Sequence, residues 1–192
     1  MKFRTLGDSE LRVSVIGLGT WAMGSDFFGS VDDQQSIEAI HAALDNGVSL
    51  VDTAPAYGSG HSEEVVGKAI AGRREAVVLA TKVGTYRRGR EYVTDLSRPS
   101  IRRQIEESLR RLNVEVIDLY QIHWPDPKIP LEESLEELSL LQKEGKFRYL
   151  GVSNFSTELM DIVRRHAALI SLQPHYSLLK REIEKIELPY CR

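Results

Sequence analysis

Short apolar runs alternating with helical periods hold this chain to a layered α/β fold. The runs lie at residues 15–20, 48–52, 77–82, 116–122, 147–152 and 169–173. Successive starts fall about 30 residues apart, the length of one strand-helix unit. Most runs are continuously apolar instead of alternating, as strands covered on both faces read. Parallel strands need a crossover of about a dozen residues or more, and a helical period fills each gap.

The helices mark their own ends. The first opens at Asp32, with Gln35 in capping-box spacing, presents Ile37, Ile40 and Leu44 on one face, and stops at Asn46-Gly47. The second follows Ser62-Glu63-Glu64 and buries Val65, Val66, Ala69 and Ile70. Ser97 and Pro99 introduce a third with Ile101, Ile105, Leu109 and Leu112. The fourth carries Leu131, Leu135, Leu138 and Leu141 and ends at Gly145. Ser156 caps a fifth bearing Leu159, Ile162 and Val163, and a sixth begins near Arg181 without finishing. Ahead of the first strand, residues 3–6 and 11–13 flank Gly7-Asp8-Ser9 and read as a small hairpin capping one end. No low-complexity stretch or linker interrupts the chain, so residues 1–192 are expected to form one domain.

Two architectures fit such a run of parallel strands: a doubly wound open sheet and a (β/α)8 barrel. The dinucleotide-binding open sheet carries G-x-G-x-x-G after its first strand. Here Gly17-Leu18-Gly19-Thr20-Trp21-Ala22 has only the first two glycines. Polar residues instead gather at the C-terminal ends of successive strands, the face on which barrel enzymes work. The expected fold is therefore an incomplete (β/α)8 TIM barrel, about six of eight βα units, with the N-terminal hairpin as a cap.

Charge and hydropathy narrow the partners. Lys and Arg number 25 against 28 Asp and Glu, a formal net charge of -3, and the isoelectric point is about 6.0. No basic face for nucleic acid follows from that balance. The pairs Arg73-Arg74 and Arg110-Arg111 read as solvated helix faces. No apolar run approaches the ~20 residues of a membrane span. Residues 13–18 are too short and too interrupted by glycine for a secretion signal. The single Cys191 can form no internal disulfide, which suits a reducing compartment. The expectation is a cytoplasmic protein.

The strand ends carry the chemistry. The second strand ends in Val51-Asp52-Thr53-Ala54-Pro55-Ala56-Tyr57, the third in Ala80-Thr81-Lys82, and the fourth in Gln121-Ile122-His123-Trp124. Singly, each has a bland reading: an aspartate caps helices, a loop tyrosine packs, a histidine after a strand is usually structural. Lys82 resists such a reading. A lysine directly behind five residues of strand is expected to be partly buried, which requires a paired carboxylate.

Six segments in order resemble the aldo-keto reductase family: Gly17-Leu18-Gly19-Thr20-Trp21, residues 52–58, Ala80-Thr81-Lys82, Ile122-His123-Trp124, Gly151-Val152-Ser153-Asn154-Phe155 and Gln173-Pro174. Trp21, His123-Trp124-Pro125-Asp126 and Pro189-Tyr190-Cys191 are similar to the bacterial branch with an open cofactor site. The resemblance implies reduction of a small-molecule aldehyde or ketone by NADPH without a metal ion, through a tetrad of Asp52, Tyr57, Lys82 and His123. Tyr57 is then the proton donor. An ammonium about 4 Å away, at an effective dielectric near 20, stabilises the phenolate left behind by up to about 4 kcal/mol. Asp52 keeps Lys82 charged and aimed, and His123 orients the substrate carbonyl. The resemblance also carries cofactor contacts to Gly19, Thr20, Trp21, Asp52, Ser153, Asn154 and Gln173. For Ser153-Asn154 the competing reading is a helix start, whereas an Asn or Gln offers a carboxamide both donor and acceptor.

Relative to the family, the chain corresponds to about the N-terminal three-fifths. The resemblance places strands seven and eight, the aromatic residue stacked on the nicotinamide and the basic grip on the 2′-phosphate beyond residue 192. Two function classes stay open: a redox enzyme, and a non-catalytic barrel or fragment acting as an interaction subunit. The intact tetrad favours the enzyme. A barrel enzyme forming a Schiff base on Lys82 fits less well with Tyr57 and His123 in the same mouth.

Overall fold

The computed structural model describes residues 1–24, 29–89 and 91–192. An N-terminal hairpin of β1 (Phe3–Thr5) and β2 (Arg12–Ser14) leads to β3 (Leu18–Gly19), α1 (Asp33–Asp45), β4 (Leu50–Asp52), α2 (His61–Ile70) and β5 (Val78–Val83). A second hairpin, β6 (Thr85–Arg88) and β7 (Glu91–Thr94), precedes α3 (Arg98–Leu112), β8 (Ile117–Ile122) and α4 (Leu131–Lys143). The chain continues through β9 (Phe147–Ser153), α5 (Thr157–His166), β10 (Leu169–Gln173) and a short α6 (Glu187–Cys191).

Six strands form one sheet in the order β10-β9-β8-β5-β4-β3, with every neighbouring pair parallel. With the hairpins set aside, spatial order is chain order. A doubly wound sheet reverses at a switch point; this one never does, so each unit adds on the same side, as in a (β/α)8 barrel. Six units leave that barrel incomplete, with β3 and β10 at its edges.

The period of two along each strand divides the core. Val51, Leu79, Ile117, Leu150 and Val152 join the main cluster with α1 to α5, which contribute Ile40, Val66, Ile105, Leu138 and Val163 among others. Leu11, Ala80, Leu119 and Ile170 form a second cluster on the other face, with Leu50, Val78 and Tyr149 packed against it. The N-terminal hairpin covers this end, since Leu11 follows its turn and is buried there.

Local signals explain most element ends. The Asp32 carboxylate accepts from the Gln35 N–H at 2.8 Å and starts α1, which ends at Asn46. Ser156 accepts from the Leu159 N–H and starts α5. Ser97 stands at the cap of α3 without making a cap bond, and Pro99 lies in the first turn. No helix among the described residues is long and apolar enough to cross a membrane.

The structure departs from the sequence reading in four places. The first run narrows to Leu18–Gly19, because the Ser14 hydroxyl donates to the Ile16 carbonyl at 2.6 Å and bends the chain there. The β6–β7 hairpin, expected by none of the apolar runs, is built on Gly89 between Tyr86 and Tyr92-Val93. The sixth helix is a 3-10 turn at Glu182–Glu184 and the short α6. The arginine pairs are solvated only in part. Arg74 bonds the buried Asp118 at 2.8 Å, and Arg111 bonds Glu63, which is 0% exposed, at 2.7 Å.

The Glu63–Arg111 pair ties α2 to α3 and also receives the Thr81 hydroxyl from β5 at 2.7 Å. Removing one partner of a buried pair leaves an uncompensated charge. Arg111→Met is expected to lower stability by about 3–5 kcal/mol, whereas replacing both residues by apolar ones of similar volume should cost far less. Urea unfolding of the two variants beside the parent checks this; equal losses would mean that packing, not charge, sets the cost.

Candidate active site

The same alternation that splits the core builds the mouth. On β4, Leu50 and Asp52 share a face; on β5, Val78, Ala80 and Lys82 do; on β8, Leu119 and Gln121. The register sets Asp52 opposite Ala80 and Lys82 opposite Gln121. An apolar tier therefore lies below, and a polar tier stands at the C-terminal ends of the strands.

Lys82 is the centre of that tier. Its ammonium, on a residue only 2% exposed, donates to Asp52 Oδ2 at 2.8 Å, the Thr53 carbonyl at 2.9 Å and the Tyr57 hydroxyl at 3.2 Å. Three donors thus meet three acceptors, the condition under which a buried ammonium is tolerable. Asp52 is itself held from two further strands: Gln121 Nε2 donates to Oδ1 at 3.1 Å and Gln173 Nε2 to Oδ2 at 3.2 Å. Its carbonyl accepts from the Thr20 N–H at 3.0 Å and the Thr20 hydroxyl at 3.1 Å. The Ser62 hydroxyl of α2 lies 2.8 Å from that Thr20 hydroxyl.

Tyr57 sits at the head of a 3-10 turn, Tyr57–Gly60, in which Gly58, Ser59 and Gly60 all take positive φ. A Cβ on Gly58 would fall 2.3 Å from the Gly24 carbonyl, so this turn can rest on the Trp21–Gly24 turn only with glycine there. The contact brings the Trp21 and Tyr57 rings to 6.4 Å. On the other side the His123 ring meets Tyr57 edge-on, with centroids 6.0 Å apart. The His123 backbone is pinned at both ends: its N–H donates to the Val83 carbonyl at 2.9 Å, and its carbonyl accepts from Asn154 Nδ2 at 3.0 Å. Nδ1 is buried without a partner among the described residues. Burial, reinforced by the nearby Lys82 charge, pushes the imidazole down to about 3, so at neutral pH it is uncharged.

The other expected site residues fall into two groups. Asp52, Tyr57, Lys82 and His123 converge, and Gly19 pairs with Asp52 in the sheet beside the exposed Trp21. Thr20, by contrast, is fully buried, with its hydroxyl committed to the Asp52 carbonyl. Asn154 spends both amide N–H groups inside the protein, on the His123 carbonyl and on Ser153 Oγ at 3.0 Å each. Ser153 in turn donates to the Gln173 carbonyl at 2.9 Å. Gln173 differs: its Oε1 is buried with no partner among the described residues. Gln121, at a strand end, and Ser62, at a helix start, had no expected role in the site. The one signal for Gln121 is its place in the polar end of β8, two residues before His123.

The arrangement puts a phenol, an ammonium and a neutral imidazole around one mouth, which can hand a proton to an oxyanion and orient the group that carries it. A family model described as the aldo/keto reductase family matches residues 15–192. The chain belongs to the aldo/keto reductase family. It is 48% identical over 194 residues to the aldo-keto reductase YhdN of Bacillus subtilis (strain 168), covering 100% of this chain and 59% of that protein. It is 37% identical to the NADH-specific methylglyoxal reductase of Escherichia coli (strain K12), covering 100% of this chain and 64% of that one. Among solved aldo/keto reductase structures, the glycerol dehydrogenase from Gluconobacter oxydans superposes with a TM-score of 0.91 at 48% identity, over 98% of this chain and 59% of that one. A Klebsiella pneumoniae enzyme in complex with NADPH gives 0.84 at 38%, over 100% and 64%. The chain thus spans about three-fifths of the length of the curated relatives it matches.

The depressed His123 value makes a pH prediction. Between its ordinary 6.5 and about 3, the unfolded chain binds a proton that the folded one refuses, so stability falls as pH drops through that window and is unaffected above it. Going from about pH 7.5 to about pH 5 should cost roughly 2 kcal/mol through this group. His123→Gln should remove that share of the acid slope. Urea unfolding of both proteins at the two pH values measures it; parallel slopes would mean that His123 is protonated in the folded state.

Proposed function

We propose that the protein reduces the carbonyl of a small aldehyde or ketone, with NADPH supplying the hydride and Tyr57 the proton. The observation that carries this reading is the Tyr57 hydroxyl 3.2 Å from a buried lysine that Asp52 holds at 2.8 Å. As the proton leaves Tyr57, the charge left on its oxygen develops against the Lys82 ammonium in a site sheltered from water, where electrostatic stabilisation is strongest. His123, neutral and edge-on to Tyr57, donates its remaining N–H toward the same carbonyl oxygen and fixes its direction. An interaction subunit has no use for burying Lys82 against a phenol.

The residues present fit a nicotinamide. Gln173 Oε1, buried and unpartnered, suits a carboxamide N–H, and Ser153 and Asn154 stand beside it at the ends of β9 and β10. Gly19 leaves the wall open, since nothing lies within 4 Å of a Cβ built there, and Trp21 stands exposed next to it. Thr20 acts from behind, by holding Asp52. NADPH is the cofactor of the reading because of the family resemblance and the Klebsiella pneumoniae enzyme solved with it. The Escherichia coli relative is named NADH-specific, so both nucleotides belong in the test.

With methylglyoxal or a nitrobenzaldehyde, NADPH absorbance should fall with time and stay flat without the carbonyl compound. Tyr57→Phe should lower kcat by roughly 10²- to 10⁴-fold, the usual worth of a positioned proton donor, with nucleotide affinity nearly unchanged. Lys82→Met should be comparably slow. A Tyr57→Phe protein that kept most of its turnover would remove Tyr57 from the role, and no turnover on any carbonyl with either nucleotide would remove the function.

A further inference from the structure

We infer that Gln121 is a positioning residue for this reaction, holding the Asp52 carboxylate in the orientation that keeps Lys82 against Tyr57. The inference rests on the proposed carbonyl reduction and adds to it a residue outside the tetrad.

The terminal torsion of an aspartate is broad and roughly two-fold, so a salt bridge to one oxygen does not by itself fix the plane of the group. Here Oδ2 receives Lys82 at 2.8 Å and Gln173 at 3.2 Å, whereas the one protein donor to Oδ1 among the described residues is Gln121 Nε2, at 3.1 Å. Donors on β5, β8 and β10 thus grip the carboxylate from both of its ends. Without Gln121 the Oδ1 end loses its anchor, and rotation carries Oδ2 away from the ammonium. Lys82 then keeps only Thr53 and Tyr57, and its position over the phenol is no longer set from below.

The fold makes room for this amide at some cost. Gln121 is 3% exposed, and burying an amide is unfavourable unless it is hydrogen-bonded. The sheet pairs it with Lys82 on one side and with Gly151 on the other. A Cβ at 151 would come within 3.1 Å of Gln121 Cγ and 2.4 Å of Ser171 Oγ, so the glycine is what lets the long side chain stand between β5 and β9. A leucine at 121 would fill an apolar wall without demanding any of this. A polar side chain here makes sense if Asp52 needs its donor.

Two substitutions test the role. Gln121→Met keeps the volume and removes the donor. kcat is expected to fall roughly ten- to a hundredfold, the range for losing a hydrogen bond to a charged group, while KM for the carbonyl compound moves less than about threefold. Gln121→Glu replaces the amide by an acid that can donate to Oδ1 only while protonated; once ionised it sets a like charge beside Asp52. The ratio of its kcat to that of the parent should therefore be near one at the acid end of the range and fall as pH rises. A new charge beside Asp52 would also disturb a residue that merely packs, so the methionine rate is what separates the two roles. Gln121→Met within twofold of the parent kcat, or a flat Gln121→Glu ratio, overturns the inference; if the methionine variant does not fold, Gln121→Leu, which also lacks the donor, is read by the same twofold limit. Should the parent be active and Tyr57→Phe inactive while Gln121→Met keeps its rate, only this inference falls. A parent inactive on every carbonyl overturns this inference together with the function.

Discussion

Burying an ammonium is costly enough that everything around Lys82 must be arranged to offset it. With the residue 2% exposed, water cannot solvate the charge, and an unpaired ion there would cost several kcal/mol. The protein answers with a carboxylate at 2.8 Å, a backbone carbonyl at 2.9 Å and a phenol at 3.2 Å. Each of those acceptors is itself fixed: Asp52 by Gln121 and Gln173, Thr53 by its N–H on the Ala80 carbonyl and its hydroxyl 3.1 Å from that of Ser62, and Tyr57 by the Gly24–Gly58 contact. The third acceptor is the informative one. A purely structural lysine could have been satisfied by a second carbonyl, whereas a phenol couples the charge to a group that can release a proton.

The barrel frame makes this economical in sequence. Because spatial order follows chain order, neighbouring strands bring successive segments to one rim, and the alternation of side chains puts every second residue on the same face. Asp52, Lys82 and Gln121 come from three adjacent strands and need no long loop to reach one another. Gln173 comes from β10, at the far edge of the sheet from β3, yet its amide still reaches Asp52 at 3.2 Å. A flat sheet would hold β4 and β10 four strand spacings apart, too far for that bond, since adjacent strands lie about 4.8 Å apart. The curl of the sheet is therefore written into a single hydrogen bond.

What could be read in the sequence is what local physics decides. The five main helices follow from apolar spacing and from caps such as Asp32 and Ser156, and β10 has the bounds its apolar run implied. Lys82 was legible as a buried charge because a strand ran straight into it. The remainder depends on partners remote in sequence. Arg111 looks like any arginine on an exposed helix face until α2 brings Glu63 against it, 48 residues away. Gln121 is marked only by its place two residues before His123; its meaning lies in a carboxylate 69 residues earlier. The β6–β7 hairpin lacked an apolar run because its strands pair only with each other, so no second layer imposed the continuous hydrophobicity of the barrel strands.

The division of charge between Lys82 and His123 is the last consequence of the same constraint. Two basic groups around one phenol cannot both be cations in a buried mouth without strong repulsion. The protein resolves the competition by geometry: Lys82 receives the carboxylate, while His123 receives burial, an unpartnered Nδ1 and the field of the lysine, and goes neutral. Environments that push neighbouring titratable groups apart are how one site separates proton chemistry from hydrogen bonding. The charged member then lies where it can stabilise an anion on Tyr57, and the neutral member can present an N–H to a carbonyl oxygen without taking the proton itself. Exchanging the two partners, with the carboxylate on His123, would give an imidazolium able to compete with Tyr57 as acid. Asp52 instead gives Oδ2 to Lys82 and Gln173 and Oδ1 to Gln121, so both of its oxygens are engaged away from His123.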